Sequence, residues 1–121
     1  SIEKDPSWGL KEVLPSLRMS FDRLPSLSLK RCFTYCSFFP KDFEIKKEEL
    51  IWFWMAFDLL HDLEGFSSME TKGECYFNTM LWNSLFEDAR MDRLKNIVSC
   101  KMHDLVHDLA LHVSKARCST I

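Results

Sequence analysis

Near the C-terminus, apolar positions repeat with the spacing of one helical face. They recur at i, i+3, i+4, i+7, i+8 and i+11, and they are Met102, Leu105, Val106, Leu109, Ala110 and Val113. His103, Asp104, His107 and Asp108 fall on the opposite side of this helix. The pattern predicts an amphipathic helix over about residues 104–114, with its histidines facing solvent.

The first third of the chain predicts two shorter helices. An apolar stripe predicts a helix over about residues 14–23, because Pro15 is tolerated only in a first turn. Ser28 is a candidate N-cap for the second helix, which must end before Pro40 because the residue preceding a proline is disfavoured in the α region. Residues 1–13 are interpreted as a linker or the end of a preceding helical unit.

A third helix, over about residues 47–60, is apolar on every side instead of along one stripe. Its apolar run is Leu50, Ile51, Trp52, Phe53, Trp54, Met55, Ala56 and Phe57. So small a domain has little capacity to cover all sides of such a helix. We therefore expect Trp52, Phe53, Trp54 and Phe57 to pack against another domain in the intact protein. The alternative is a central core helix with no outside partner.

A fourth helix and a β-hairpin are predicted next. Ser67 and Glu70 have the spacing of a capping box that opens the fourth helix. Residues 85–89 and 97–102 are short apolar runs separated by a polar loop, which predicts a two-stranded hairpin. Residues 43–45 are expected to form one short extended step. Helices, hairpin and closing helix together predict a mainly α, winged-helix domain with a C-terminal helix.

Composition narrows the class of protein. The chain has 121 residues, enough for one domain, and a formal net charge of −2 with scattered basic residues, which does not favour nucleic acid as a partner. Its longest apolar run is far shorter than the roughly 20 residues of a membrane helix. The five cysteines form no C-x-x-C pair, which predicts reduced thiols in an intracellular compartment. Cys32 and Cys36, four residues apart, are interpreted as buried small apolar residues in preference to a metal pair.

The start of the last helix carries the candidate chemistry. Asp104 suits a helix start, where it accepts hydrogen bonds from unpaired backbone N–H groups and complements the helix dipole. His103 then lies beside the helix N-terminus, a position that favours a phosphate. The pattern is compatible with a phosphate sensor, but the local pattern by itself favours a plain amphipathic helix bearing solvated histidines.

Three rival functions remain open. His103 and His107 form an H-D-x-x-H sequence close to that of zinc hydrolases, for which Cys100, His112 or Cys118 would have to supply a third ligand. A winged helix that binds DNA would present residues 47–60 to the major groove, where apolar and acidic residues are poor readers of bases. The third is a docking or scaffold domain that makes no nucleotide contact.

Five strings in order resemble the nucleotide-binding region of plant immune receptors of the nucleotide-binding, leucine-rich-repeat class with an N-terminal coiled coil. They are LPSLRMSFDRLP at residues 14–25, CFTYCSFFPKDF at 32–43, EELIWFWMA at 48–56, GECYFNTMLWNSLFED at 73–88, and Met-His-Asp at 102–104 followed by LVHDLA. The resemblance implies that residues 14–114 form the winged-helix subdomain and that 115–121 lead toward the leucine-rich repeats.

The resemblance also implies a switch. In the ADP-bound resting state the histidine of the motif, His103 here, would contact the β-phosphate. Asp104 would support the helix start, and Met102 would anchor the motif in the core. Exchange of ADP for ATP would release the subdomain from the nucleotide-binding domain and allow the receptor to form oligomers in the cytoplasm, leading to defence signalling.

Some positions depart from the family pattern. Phe57 and the two residues after it stand where Glu-Gly-Phe is usual, and Asn83 stands where an arginine is common. The chain has no G-x-x-x-x-G-K-[ST] loop. We therefore expect no enzymatic activity, no catalytic or metal-binding residues, and no ADP or ATP bound by this segment alone, since other domains of the parent would hold most of the nucleotide.

Overall fold

The computed structural model describes residues 8–119, with side chains described for residues 15–115. Five α-helices lie within this described part: α1 (Trp8–Asp22), α2 (Leu27–Tyr35), α3 (Lys47–Ala56), α4 (Met69–Trp82) and α5 (Asp104–Ser119). A short 3-10 helix (Cys36–Phe38) follows α2, and the strands are β1 (Ile45–Lys46), β2 (Glu87–Met91) and β3 (Ile97–Lys101). The order confirms the predicted mainly α, winged-helix fold.

The three strands form one antiparallel sheet in the order β1-β3-β2. Strands β2 and β3 are the predicted hairpin, so that prediction is confirmed. The remaining strand, β1, pairs with β3, so that Ile45 lies opposite Cys100 and Lys46 opposite Ser99. A local pattern predicts the extended step but not its partner, because the pairing joins residues more than 50 positions apart. The sheet fixes the end of β3, and therefore the start of α5, against the loop before α3.

Helices α1 and α5 are longer than predicted. Helix α1 begins at Trp8, so Pro15 lies in its interior and not in its first turn. An interior proline removes one backbone hydrogen bond and kinks a helix, but packing on both sides can preserve the helix as a whole. The segment interpreted as a linker or the end of a preceding helical unit is thus helical from Trp8, while residues 1–7 lie outside the described part. Helix α5 continues to Ser119, past the predicted end at 114.

Serine caps open α2 and α4, but not the predicted serines. The Ser26 hydroxyl accepts from the Leu29 N–H at 3.0 Å, whereas the Ser28 hydroxyl donates to the Leu59 carbonyl at 2.8 Å. Helix α4 is capped by Ser68, which accepts from the Thr71 N–H at 3.1 Å. The predicted cap at Ser28 and the capping box from Ser67 were wrong because neighbouring serines have the same local preference, and tertiary packing decides where each helix begins.

The two serines before α4 offer a matched test of this cap. We expect Ser68→Ala to lower the free energy of unfolding by about 1 kcal/mol, the usual cost of losing an N-cap acceptor. Ser67→Ala should leave it nearly unchanged, because the Ser67 hydroxyl accepts no backbone bond at the helix start. Urea denaturation followed by circular dichroism measures both. Equal losses in the two variants would contradict the assignment of Ser68.

The core surrounds α3 and the end of α2. Trp54 is completely buried and its Nε1 donates to the Cys32 carbonyl at 3.0 Å. Helix α3 ends at Ala56 instead of residue 60, since Asp58 adopts a left-handed backbone (φ 58°) that turns Leu59 and Leu60 into the core. This part of the chain is where the sequence departs from the family pattern.

The cysteines of the core are thiols. Cys32, Cys36 and Cys100 are free and completely buried, and burial raises the pKa of both Cys32 and Cys100 to about 12. The Cys36 thiol donates to the Cys32 carbonyl at 3.3 Å. Protonated, buried thiols behave as small apolar residues, which confirms the prediction for Cys32 and Cys36.

Candidate functional site at the start of helix α5

His103, and not Asp104, caps α5. The His103 carbonyl accepts the first helical bond from the His107 N–H at 2.9 Å, and its ring Nδ1 accepts from the Leu105 N–H at 3.1 Å. Asp104 is the first residue of the helix and is exposed. The predicted capping role of Asp104 was therefore wrong, although its carboxylate still lies at the positive end of the helix dipole.

The cap determines which nitrogen of His103 carries hydrogen. Because Nδ1 accepts a hydrogen bond from a backbone N–H, the neutral ring carries its hydrogen on Nε2. The residue is exposed, so this N–H group stands at the surface beside a helix N-terminus. A phosphate oxygen is a suitable acceptor for such a donor. Met102, immediately before it, is buried in the core.

His107 is buried, contrary to the expectation of solvated histidines on this side of the helix. Its Nε2 donates to the Phe39 carbonyl at 2.6 Å, and its Nδ1 is buried without a hydrogen-bond partner. The helix packs against the segment that follows α2, which covers part of the polar side. A helical wheel does not predict this burial, because the covering segment lies 68 positions away in the chain.

This geometry does not favour the zinc hydrolase alternative. His107 uses its Nε2 for a backbone carbonyl, and His103 uses its Nδ1 for the helix cap. Across the described residues, no group of three His, Cys, Asp or Glu side chains is placed to hold a metal ion. The Cys118 side chain lies outside the part of the chain that the structure describes.

Polar contacts attach the loop of residues 39–44 to α5 and β3. Lys41 Nζ lies 2.8 Å from Asp108 Oδ1, and the hydrogen bond to Asp108 raises the pKa of Lys41. The Ser99 hydroxyl donates to the Glu44 carboxylate at 2.7 Å, which lowers the pKa of Glu44. The largely exposed Lys41–Asp108 ion pair contributes little to stability. Both contacts do orient the loop relative to the start of α5.

An aromatic cluster lies next to this loop, and we call it the aromatic face: Tyr35, Phe38, Phe39, Phe43, Phe53 and Phe57. Phe39 stacks on Phe43 at 5.7 Å between ring centroids and tilts against Phe53 at 5.2 Å. Phe38 is 68% exposed, and Phe43 and Phe57 are exposed too. So many rings at the surface are typical of a face that another protein surface covers.

The residues predicted to pack between domains divide into three groups. Phe53 and Phe57 belong to the aromatic face, and Trp52 is 68% exposed. Trp54 is completely buried within this domain, so its side chain has no surface to offer another domain, and that part of the prediction was wrong. The sequence reasoning missed Phe38, Phe39 and Phe43. Three phenylalanines within six residues, close to a proline, were the available indication of an exposed aromatic surface.

Helix α3 presents an acidic and aromatic surface. Glu48, Glu49 and Trp52 are exposed on it, and both glutamates lie in its first turn. Lys and Arg side chains neutralise the phosphates in most DNA-binding surfaces, and these three positions supply neither. The surface is therefore unlike that of a helix that reads the major groove.

None of the helices in the described part of the chain is both long and apolar enough to cross a membrane.

The comparisons with known proteins agree with this fold. Residues 38–110 match the family described as "Disease resistance protein Winged helix domain". The chain is similar to putative disease resistance protein RGA1 of Solanum bulbocastanum, with 38% identity over 98% of this chain and 12% of that protein. Disease resistance protein RGA2 of the same species is 37% identical over 98% of this chain and 12% of its own length.

A third relative comes from another plant. Disease resistance protein RFL1 of Arabidopsis thaliana is 38% identical over 84% of this chain and 11% of that protein. The chain thus spans about an eighth of the length of the first two relatives. The matched family residues include the aromatic face except Tyr35, together with α3, α4, the sheet and the start of α5. The chain belongs to the winged-helix domain family of plant disease resistance proteins.

Proposed function

We propose that this domain is the regulatory winged-helix module of an intracellular plant immune receptor and stabilises its ADP-bound resting state. His103 donates from Nε2 to the β-phosphate of ADP, which other domains of the parent protein hold for the most part. The observation that carries the proposal is the His103 cap, because it orients a hydrogen-bond donor outward at the positive end of α5.

The other residues of the motif have supporting roles in this proposal. Met102, only 4% exposed, anchors the backbone in the core so that the position of His103 is fixed. Asp104 supports the first turn through its charge at the helix start and not through a side-chain cap. A donor held by a buried neighbour on one side and a helix on the other loses little freedom on binding phosphate.

The aromatic face supports the regulatory part of the proposal. In the resting state it packs on the nucleotide-binding domain or the leucine-rich repeats of the same chain, which shields Phe38, Phe43 and Phe57. Exchange of ADP for ATP removes the contact at His103 and releases this packing, so that the receptor forms oligomers and signals.

The test is nucleotide binding to the full-length protein with His103 replaced by Asn. Asparagine retains an oxygen that caps the helix, but its side chain does not reach as far as Nε2. Losing one hydrogen bond to a charged group costs roughly 1.5–3 kcal/mol, so the ADP dissociation constant should rise about tenfold or more while ATP binding changes less. Calorimetric titration of nucleotide-free protein measures both constants.

Controls separate the phosphate contact from folding. His112→Asn changes an exposed histidine two turns further along α5 and should leave ADP affinity unchanged. His103→Asp retains a capping oxygen but adds a negative charge, so ADP affinity should fall further than in His103→Asn. Thermal melts without nucleotide should match the wild type in all three variants.

The alternative function is a docking domain that makes no nucleotide contact. The aromatic face favours this alternative as well, because it requires only a covering partner. A folded His103→Asn protein that binds ADP as tightly as the wild type would reject the phosphate contact. Met102, His103 and Asp104 would then serve only as core and cap, and the docking function would remain.

A further inference from the structure

His107 is hydrogen-bonded both to His103, the candidate phosphate-binding residue, and to the loop beside the aromatic face. The His107 backbone N–H donates to the His103 carbonyl at 2.9 Å. The His107 side chain donates from Nε2 to the Phe39 carbonyl at 2.6 Å. His107 lies in the first turn of α5, so a shift of this turn also moves the hydrogen-bond donor of the Phe39 carbonyl.

Among the polar contacts that the described side chains make between this loop and α5, the hydrogen bond to Phe39 is the buried one. His107 is 6% exposed, whereas the side chains of Lys41 and Asp108 are 47% and 28% exposed. A hydrogen bond shielded from water is less easily replaced by solvent than an exposed ion pair. The His107 bond is thus the contact best suited to transmit a displacement.

Beyond Phe39, the path continues through packed rings. Phe39 contacts Phe43 and Phe53, and Phe53 tilts against Phe57 with 4.8 Å between ring centroids. Phe39 lies in the loop, Phe53 in α3 and Phe57 in the turn after α3, so these packed rings join three segments of the chain. The position of the Phe39 backbone therefore affects the exposed rings from which the aromatic face is built.

We infer that His107 is a positioning residue that couples phosphate contact at His103 to the order of the loop at residues 39–44 and the adjacent aromatic face. The ligand is the phosphate of a nucleoside diphosphate, and the inference rests on the proposed function. ADP holds the first turn of α5 in place, His107 holds Phe39, and the rings are presented in the geometry that the neighbouring domain of the receptor recognises. Without the phosphate contact, the first turn of α5, the loop at residues 39–44 and the packed rings are held less firmly.

Two amide substitutions at His107 separate this role from simple packing. Glutamine places its side-chain nitrogen about where Nε2 of histidine lies, so His107→Gln can still donate to the Phe39 carbonyl. Asparagine is one methylene shorter, so its nitrogen falls near the position of Nδ1 and does not reach Phe39. Both side chains are neutral amides, and both leave the backbone bond to His103 intact.

The experiment is hydrogen–deuterium exchange on the full-length wild-type protein and the two variants, with and without ADP. In the wild type, ADP should slow amide exchange by roughly tenfold in peptides covering residues 39–44 and 104–110. In His107→Asn the slowing should persist over 104–110 and disappear over 39–44. His107→Gln should restore it. A merely structural role would change exchange in the loop equally with and without ADP.

Each other outcome contradicts the inference. If the loop of a folded His107→Asn protein still responds to ADP as in the wild type, His107 does not carry the coupling. If ADP slows exchange only over 104–110 in the wild type, the inference fails while the proposed function stands. If ADP binds but slows neither segment, or does not bind, both fail. Should His107→Asn not fold, His107→Leu fills the apolar volume without a donor and should show the same loss.

Discussion

Trp54→Ala is expected to lower the free energy of unfolding by about 3–5 kcal/mol, a large part of the roughly 5–15 kcal/mol that stabilises a typical domain. Among the side chains of residues 15–115, Trp54 is the largest that is completely buried. Its removal leaves a cavity between α2 and α3 and deprives the Cys32 carbonyl of the donor at 3.0 Å. Urea denaturation followed by circular dichroism should show a much lower midpoint or a chain that is already unfolded without urea.

The matched control is Trp52→Ala, two residues away on the same helix. Trp52 is 68% exposed, so its removal should change the unfolding free energy of this chain by no more than about 0.5 kcal/mol. In the full-length protein the same change should instead weaken contact with a neighbouring domain. If both tryptophan variants lost similar stability in the isolated chain, the assignment of Trp54 to the core and of Trp52 to the surface would be wrong.

Gly73→Ala is expected to destabilise the chain by roughly 1–3 kcal/mol, although alanine is normally the better helix former. A Cβ at residue 73 would lie 2.7 Å from Cγ2 and 3.0 Å from Cγ1 of Ile51, on the facing helix α3. Ile51 is buried and β-branched, so its side chain has almost no other rotamer available within a helix. The glycine thus allows α3 and α4 to approach closely.

The effect of this substitution should change sign when Ile51 is truncated. In an Ile51→Ala background the close contact is gone, and Gly73→Ala should stabilise the chain by up to about 1 kcal/mol through helix propensity. A double-mutant cycle in urea should therefore give a coupling energy of about 2–3 kcal/mol between the two positions. Additive effects would show that Gly73 is not required by this contact.

Sequence periodicity predicted the elements well and their ends poorly. Five helices and the hairpin follow from apolar spacing, because a helix or strand that lacks an apolar face cannot join a core. The caps at Ser26 and Ser68 were missed because Ser28 and Ser67 satisfy the same local preference. Strand β1 was predicted only as an extended step, since its hydrogen bonds go to Cys100 and Ser99 in a distant part of the chain.

The candidate site was also predicted only in part: its motif could be recognised from the sequence, but its capping residue could not. Met-His-Asp beside a helix start could be recognised from residues 102–104 alone, and the structure places Met102 in the core and His103 at the surface. The cap was assigned to Asp104, the residue type that usually serves as one, but the ring of His103 provides it. An imidazole cap depends on a particular rotamer, and no composition or spacing rule specifies a rotamer.

The sequence by itself determined the class of this protein: apolar repeats that require helices, a hairpin before a closing helix, and five ordered motifs of one family. Only the tertiary structure decided which polar and aromatic residues are covered. It buried His107 against Phe39, placed Trp54 inside and Trp52 outside, and gathered Phe38 and Phe43 with the rings of α3. The physical reason is that an element's own pattern fixes which residues share a side, whereas burial of that side depends on what distant segments pack against it.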